Sequence, residues 1–234
     1  MRLAVYRLPA DPPSRRRWGL VLGGPVSWWI HPFEGRTELA TLLGAEPERR
    51  EEFADRAAAR DGLHPRDVIA LAPLPAHQPA PVTAPGAGAP RVPGSGAPET
   101  PDGGELRCRL RVVPVVPGTA GGPVAAGDVR AVALSVAWRL GALTIARTTA
   151  PWVVTAEDLD LLPVARIGVR MRINHRPVAS LPAPLVVEVT PHGVRTRGPV
   201  TPRLRPGDLV EIATEPFGVL RQPVPMPSAV TLAR

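Results

Sequence analysis

Apolar positions along this chain come in short runs punctuated by Gly and Pro, and the stretches with helical spacing lie near the amino terminus. Leu3-Ala4-Val5-Tyr6 and Trp18-Gly19-Leu20-Val21-Leu22 each predict a strand, the second followed by the turn Gly23-Gly24-Pro25. Thr37 is placed to cap a short helix through Leu43, with Gly44 just past its end. Pro47 opens a second helix whose first turns are acidic, and Gly62 closes it near Asp61. Val68-Ile69-Ala70-Leu71 returns as a strand. These elements predict a small α+β unit.

From Pro73 to Gly104 the pattern stops, and the segment is rich in Pro, Gly and Ala with little to bury. Such a stretch cannot offset the entropy of ordering its backbone. The expected division is a small domain at 1–77, a flexible linker or long loop at 78–104, and a larger domain at 105–234. In the larger part the period is that of strands. Leu106, Cys108 and Leu110 alternate with Arg107, Arg109 and Arg111, so one face is apolar and the other cationic. Val129 to Val136 is a second strand, and Trp152-Val153-Val154 leads to Thr155, which can cap a one-turn helix through Leu159. Ile167 to Ile173 and Pro177-Val178 predict a hairpin around Asn174-His175. Leu185 to Val189, Leu209 to Ala213 and Gly218 to Arg221 complete a mainly β sandwich or roll.

Composition changes this picture in three places. The chain has 234 residues and 28 basic ones, all Arg, and the 32 Pro and 22 Gly complete a bias that fits a high-GC bacterial genome. The formal charge of +7 lies wholly in the second part, because acidic and basic residues cancel over 1–104. That excess favours an anionic small molecule. Nucleic acid fits poorly, since aromatics make up only 4% of residues and few are available to stack bases. The single Cys108 excludes an internal disulfide framework and any Cys-based zinc site. No run approaches the about 18 apolar residues of a spanning helix, and Met1 to Tyr6 is no signal-peptide core, so a cytoplasmic protein without membrane attachment is expected.

Several segments, in order, resemble the fumarylacetoacetate hydrolase family. Met1 to Val26 is similar to its small amino-terminal module, in which a strand leads to a W-G-x-V-x-G hairpin. Ala150-Pro151-Trp152-Val153-Val154-Thr155-Ala156-Glu157-Asp158-Leu159 resembles its G-P-W-[IV]-V-T-x-D-E-[IL] segment. Gly168 to Pro177 matches the strand-turn-strand with Asn-Gly at its tip, and Thr190-Pro191-His192-Gly193-Val194 the T-P-x-G-V loop. Leu204 to Ile212 with Phe217 to Val224 resembles the terminal L-x-P-G-D-x-V-E hairpin. The resemblance implies an α+β, mainly β fold, a mixed β-sandwich roll with a small amino-terminal α+β domain. It also implies a homodimer.

The chain departs from the family at the metal. Members bind a divalent cation through a Glu-x-Glu pair and an Asp in an N-D-x-x-x-R-D segment. The matching positions here are Cys108-Arg109-Leu110-Arg111 and Ala133 to Arg139, without a carboxylate. Guanidinium groups cannot ligate a cation, so no metal and no cofactor are expected. Arg109 and Arg111 become candidate catalytic groups, fixed positive charges able to hold a carboxylate or stabilise an enolate. The same alternation also suits the solvent face of an edge strand. His192 is a candidate acid or base in the loop that approaches substrate, with Glu188 its candidate partner. Trp138, Trp152, Thr190 and Arg139 are candidate substrate-binding residues, although tryptophans of this kind also pack cores. The expected function is a metal-independent cyclase, isomerase or lyase acting on a carbonyl-rich or anionic small molecule in bacterial specialised metabolism. Two alternatives stand beside it: a non-catalytic subunit or binding protein, and a conventional metal-dependent C–C hydrolase or decarboxylase.

Overall fold

The run Ala131-Val132-Ala133-Leu134-Ser135-Val136-Ala137-Trp138, apolar at every position but Ser135, is buried throughout, as a strand covered on both faces must be. It forms β6 (Ala131–Leu140), around which the large sheet is organised. The computed structural model describes residues 1–24, 27–35, 37–71, 105–115, 129–141, 143–159, 164–178, 184–190 and 193–225. The linker expected at 78–104 lies outside them.

Along the chain, β1 (Arg2–Arg7), β2 (Arg17–Gly23) and β3 (Trp28–Pro32) form an antiparallel meander. The helices α1 (Leu39–Gly44) and α2 (Pro47–Ala58) follow, then the short β4 (Ile69–Leu71). Next come β5 (Leu106–Val115), β6 and β7 (Leu143–Thr155). Together these strands make one seven-stranded sheet in the order β3-β2-β1-β7-β6-β5, with β4 paired to the second half of β1. The amino-terminal strands are thus hydrogen-bonded into the large sheet, with Arg2, Leu3 and Ala4 opposite Val154, Val153 and Trp152.

Two smaller sheets complete the roll. One contains β8 (Val164–Ile167), β11 (Leu185–Thr190) and β12 (Gly193–Arg197). The other contains β9 (Arg170–Ile173), β10 (Arg176–Pro177), β13 (Leu209–Thr214) and β14 (Gly218–Pro223). Their inner faces meet Cys108, Leu110, Val112, Leu134, Val136 and Trp138 of the large sheet in the main core. The opposite face of the large sheet packs Leu3, Val113, Ala133 and Val153 against Leu42, Leu43 and Ala57 of the helices. The tight turn at Asn174 and His175 takes positive φ at both residues (49° and 67°), which a two-residue hairpin of primed type requires. Asn174 also ties that tip to the last hairpin, donating to Asp208 Oδ1 and accepting from the Leu209 amide.

Four local expectations are revised. Thr37 does not cap α1; its hydroxyl donates to the Glu34 carbonyl, and Glu38 holds the N-cap position. The helix α2 ends at Ala58 rather than near Asp61. The strand at Trp152 starts nine residues earlier than expected, at Leu143, because Gly141 (φ 56°) turns β6 directly back into β7. Trp28–Pro32 and Gly193–Arg197 are strands as well.

Candidate functional site

Pairing register decides which side chains share a face. In the large sheet Arg111 lies opposite Ser135, which lies opposite Thr149. One step along, Arg109 lies opposite Ala137, which lies opposite Arg147. One step further, Arg107 lies opposite Arg139. Residues directly opposite have Cβ atoms about 5 Å apart, and neighbours two apart on a strand are about 7 Å apart. Arg109, Arg111, Arg139 and Arg147 therefore cluster on one face of β5–β6–β7, with Ser135 and Thr149 between them. Ser135 and Ala137 are 8% exposed, covered by long neighbouring side chains, while Arg109, Arg111 and Arg147 are exposed.

The electrostatics of this face are unbalanced. Among the described residues no ion pair involves Arg109, Arg111 or Arg147. Burial first, then the like charges of Arg109, Arg147 and Arg139, hold the Arg111 guanidinium below the ordinary arginine value. Arg107 is set apart from the cluster: it pairs with Glu105 and donates to the Thr201 carbonyl. The Thr149 hydroxyl, across Ser135 from Arg111, is buried without a hydrogen-bond partner among the described residues.

The backbone beneath the arginines is held from outside the sheet. The edge of β5 away from β6 is closed by a backbone bridge between Leu106 and Leu204 and by two threonines. Thr201 Oγ1 accepts the Cys108 amide at 3.1 Å and donates to the Cys108 carbonyl at 2.7 Å. Thr196 Oγ1 accepts the Val112 amide at 3.0 Å and donates to the Val112 carbonyl at 3.1 Å. These bonds satisfy edge groups that would otherwise pair with another chain, and they bracket Arg109 and Arg111. Cys108 points the other way, into the main core, where burial pushes its thiol up to about 11 and keeps it inert.

The expected site residues divide. Arg109, Arg111 and Arg139 are brought together. Trp138 and Trp152 are fully buried, and Trp138 shares the core face with its partner Cys108, opposite to Arg109. Trp138 Nε1 donates to Thr148 Oγ1, and Trp152 packs edge-on against Trp28. An apolar pocket lined jointly by tryptophans and arginines is thus not formed; both rings are core. Glu188 sits in the separate three-stranded sheet opposite Arg195, half-buried, and makes no ion pair with Arg109 or Arg111 among the described residues. Thr190 ends β11, paired with Gly193, and His192 lies outside the described residues. Sequence reasoning missed Ser135, Arg147 and Thr149. The signal was the turn at Gly141: once β7 is extended back to Leu143, the register puts Arg147 beside Ala137.

A hard divalent cation does not fit this face. Its groups are guanidinium, hydroxyl and methyl, where such an ion needs an oxygen-rich, largely anionic shell. Among the described residues there is no group of three or more His, Cys, Asp or Glu that could hold a metal ion. No helix among them is long and apolar enough to cross a membrane.

No protein-family model matches the chain, and no curated protein matches it. Solved structures do. Maleylpyruvate hydrolase from Sphingobium sp. SYK-6 superposes with a TM-score of 0.50 at 16% identity, over 96% of this chain and 99% of that one. The fold is that of the fumarylacetoacetate hydrolase family. Two further structures from that family also match: 2-hydroxyhepta-2,4-diene-1,7-dioate isomerase from Mycobacterium marinum (TM-score 0.49, 14% identity, 96% and 98% of the two chains) and 5-carboxymethyl-2-hydroxymuconate delta-isomerase from Mycobacterium smegmatis (TM-score 0.45, 17% identity, 96% and 99%). Within this fumarylacetoacetate hydrolase fold, the expectation of a mainly β architecture holds.

Proposed function

We propose that this chain uses a fumarylacetoacetate hydrolase fold for metal-independent chemistry on a carbonyl-rich, anionic small molecule, of the cyclase, isomerase or lyase type. The observation that carries this reading is the group of four arginines facing one side of β5–β6–β7, with no carboxylate in the three rows that hold them. Like charges at this spacing raise the energy of the empty face, and an anion relieves it. Arg109 and Arg111 would hold a carboxylate or the oxygens of a 1,3-dicarbonyl through paired N–H donors. The same donors favour the enolate, whose negative charge grows on oxygen as a proton leaves the neighbouring carbon. Arg139 and Arg147 would hold the rest of the substrate, with Ser135 and Thr149 supplying neutral hydrogen bonds. Glu188 and His192 remain the candidates for proton transfer and Thr190 for substrate binding, and a homodimer remains the assembly proposed. Among the described residues, the three rows place no aromatic ring on the arginine face, which favours a small molecule over nucleic acid.

The test is solvent deuterium exchange into a panel of 2-oxo acids and 1,3-dicarbonyl carboxylates, followed by proton NMR. Exchange at the carbon beside the carbonyl is expected to survive chelator treatment and to fall on the order of a hundredfold in Arg109→Ala. Exchange that stops with chelator and returns with Mg²⁺, or that is undiminished in Arg109→Ala, would contradict the proposal.

A second reading rests on the absence of any carboxylate, imidazole or thiol from the three arginine rows: a binding subunit without turnover. Saturable binding of the same acids without exchange would favour it.

A further inference from the structure

Away from the sheet face, a cleft of about 670 Å³ opens in the amino-terminal unit, between the loop at 12–16, the end of β3 and the residues leading into α1. That volume lies within the range of small-molecule sites. Trp18, Phe33, Pro12 and Pro32 contribute apolar surface to its lining. Trp18 is half-buried, while Phe33 is 7% exposed and anchored in the core with α1 and α2.

The polar part of the lining is cationic, and one cation there is held in reserve. Arg17 is fully engaged: its Nε and Nη2 donate to the two oxygens of Asp11, each at 2.9 Å. Asp11 also accepts the Leu8 amide, so its acceptor capacity is used close to home. Arg15, two residues away and also in the lining, is half-buried, and its guanidinium feels the Asp11 charge without a hydrogen bond or ion pair among the described residues. The turn that presents it is fixed, the Arg15 amide donating to the Pro12 carbonyl at 2.9 Å. Ser14 and Thr37 also line the cleft.

A lining that combines aromatic and proline rings with a half-buried arginine selects a ligand that is itself flat, apolar on its body and anionic at one end. We infer that this cleft is a second binding site, independent of the arginine face, for a planar aromatic acid. The ring packs against Trp18, Phe33 and the prolines, where stacking and burial act together. The carboxylate takes paired hydrogen bonds from Arg15, whose fork geometry suits it better than an ammonium would. Glu38, also in the lining, disfavours ligands with a second anionic end.

The experiment is isothermal titration of the full chain with naphthalene-2-carboxylate as probe and naphthalene-2-carboxamide as its uncharged counterpart. One saturable site is expected, weakened at least about tenfold for the carboxamide and in Arg15→Gln. It is expected to be unchanged in Arg109→Gln. Arg15→Lys, which keeps charge but loses the fork, should fall between. Equal affinity in wild type and Arg15→Gln, loss in Arg109→Gln instead, or no saturable binding would each overturn the inference. Retention of the wild-type urea midpoint in Arg15→Gln separates lost contact from lost fold.

Discussion

Gly207 and Gly218 share a left-handed backbone, at φ 83° and 77°, but not the same surroundings. A Cβ on Gly207 would meet nothing within 4 Å, whereas one on Gly218 would stand 2.8 Å from Cε2 of the Trp152 indole. Ala at 207 therefore carries only the backbone cost, about 1 kcal/mol. Ala at 218 adds overpacking against a fully buried ring, and the loss should reach about 3 kcal/mol. Urea denaturation with an unchanged slope is the check; equal losses at the two sites would mean that Trp152 does not pack on that hairpin. The arginines show a different kind of local cost. A cation whose folded pKa is lowered costs stability at every pH below that folded value, and relief begins only as pH rises through it. Arg111 is such a cation, and the like-charge part of its penalty is eased by salt or by a bound anion.

Among the elements, β5 ties the arginine face to the rest of the fold through hydroxyl groups. Thr201 is 2% exposed and both accepts from and donates to the Cys108 backbone. Thr201→Val keeps the shape and removes both bonds, leaving a buried amide and a buried carbonyl unpaired. A loss of about 2 kcal/mol is expected, against a small one for Thr201→Ser. Amide exchange at Cys108 should quicken in the Val variant alone; unaltered protection there would show that water or another group closes this edge. Neither threonine's role was legible beforehand, because a hydroxyl that caps a strand from a distant loop leaves no local periodicity. The elements that were legible had strong local signals: the alternation at Leu106 to Leu110, the apolar run of β6, the Asn174-His175 turn. The first half of β7 had none. Leu143-Thr144-Ile145-Ala146-Arg147-Thr148-Thr149 mixes small, polar and branched residues without a clean period, and a bulge shifts its register at Trp138 and Arg139.

At the scale of the whole molecule, the ordered series of motifs at Met1 to Val26, Ala150 to Leu159 and Gly168 to Val224 was enough to expect the fold, because Gly, Pro and Asn positions are dictated by backbone conformation and survive changes of chemistry. The site was only half legible. Strand alternation put Arg109 and Arg111 on one face, but it also put Trp138 and Cys108 on the other, and the pocket expected between them ignored that period. What the fold contributes is a rigid sheet that holds four like charges in adjacent rows, with one face given to the main core and the other shared between the helices and the arginines. Such a face should be held in tension when empty and relaxed by an anion. The most direct test is the urea midpoint of the wild type and of the Arg109→Gln/Arg111→Gln double variant, with millimolar malonate or chloride at equal ionic strength. The double variant is expected to start above the wild type in chloride and to gain nothing specific from malonate, which should raise only the wild type. An equal malonate shift in both proteins would contradict the claim that these guanidinium groups form an anion site.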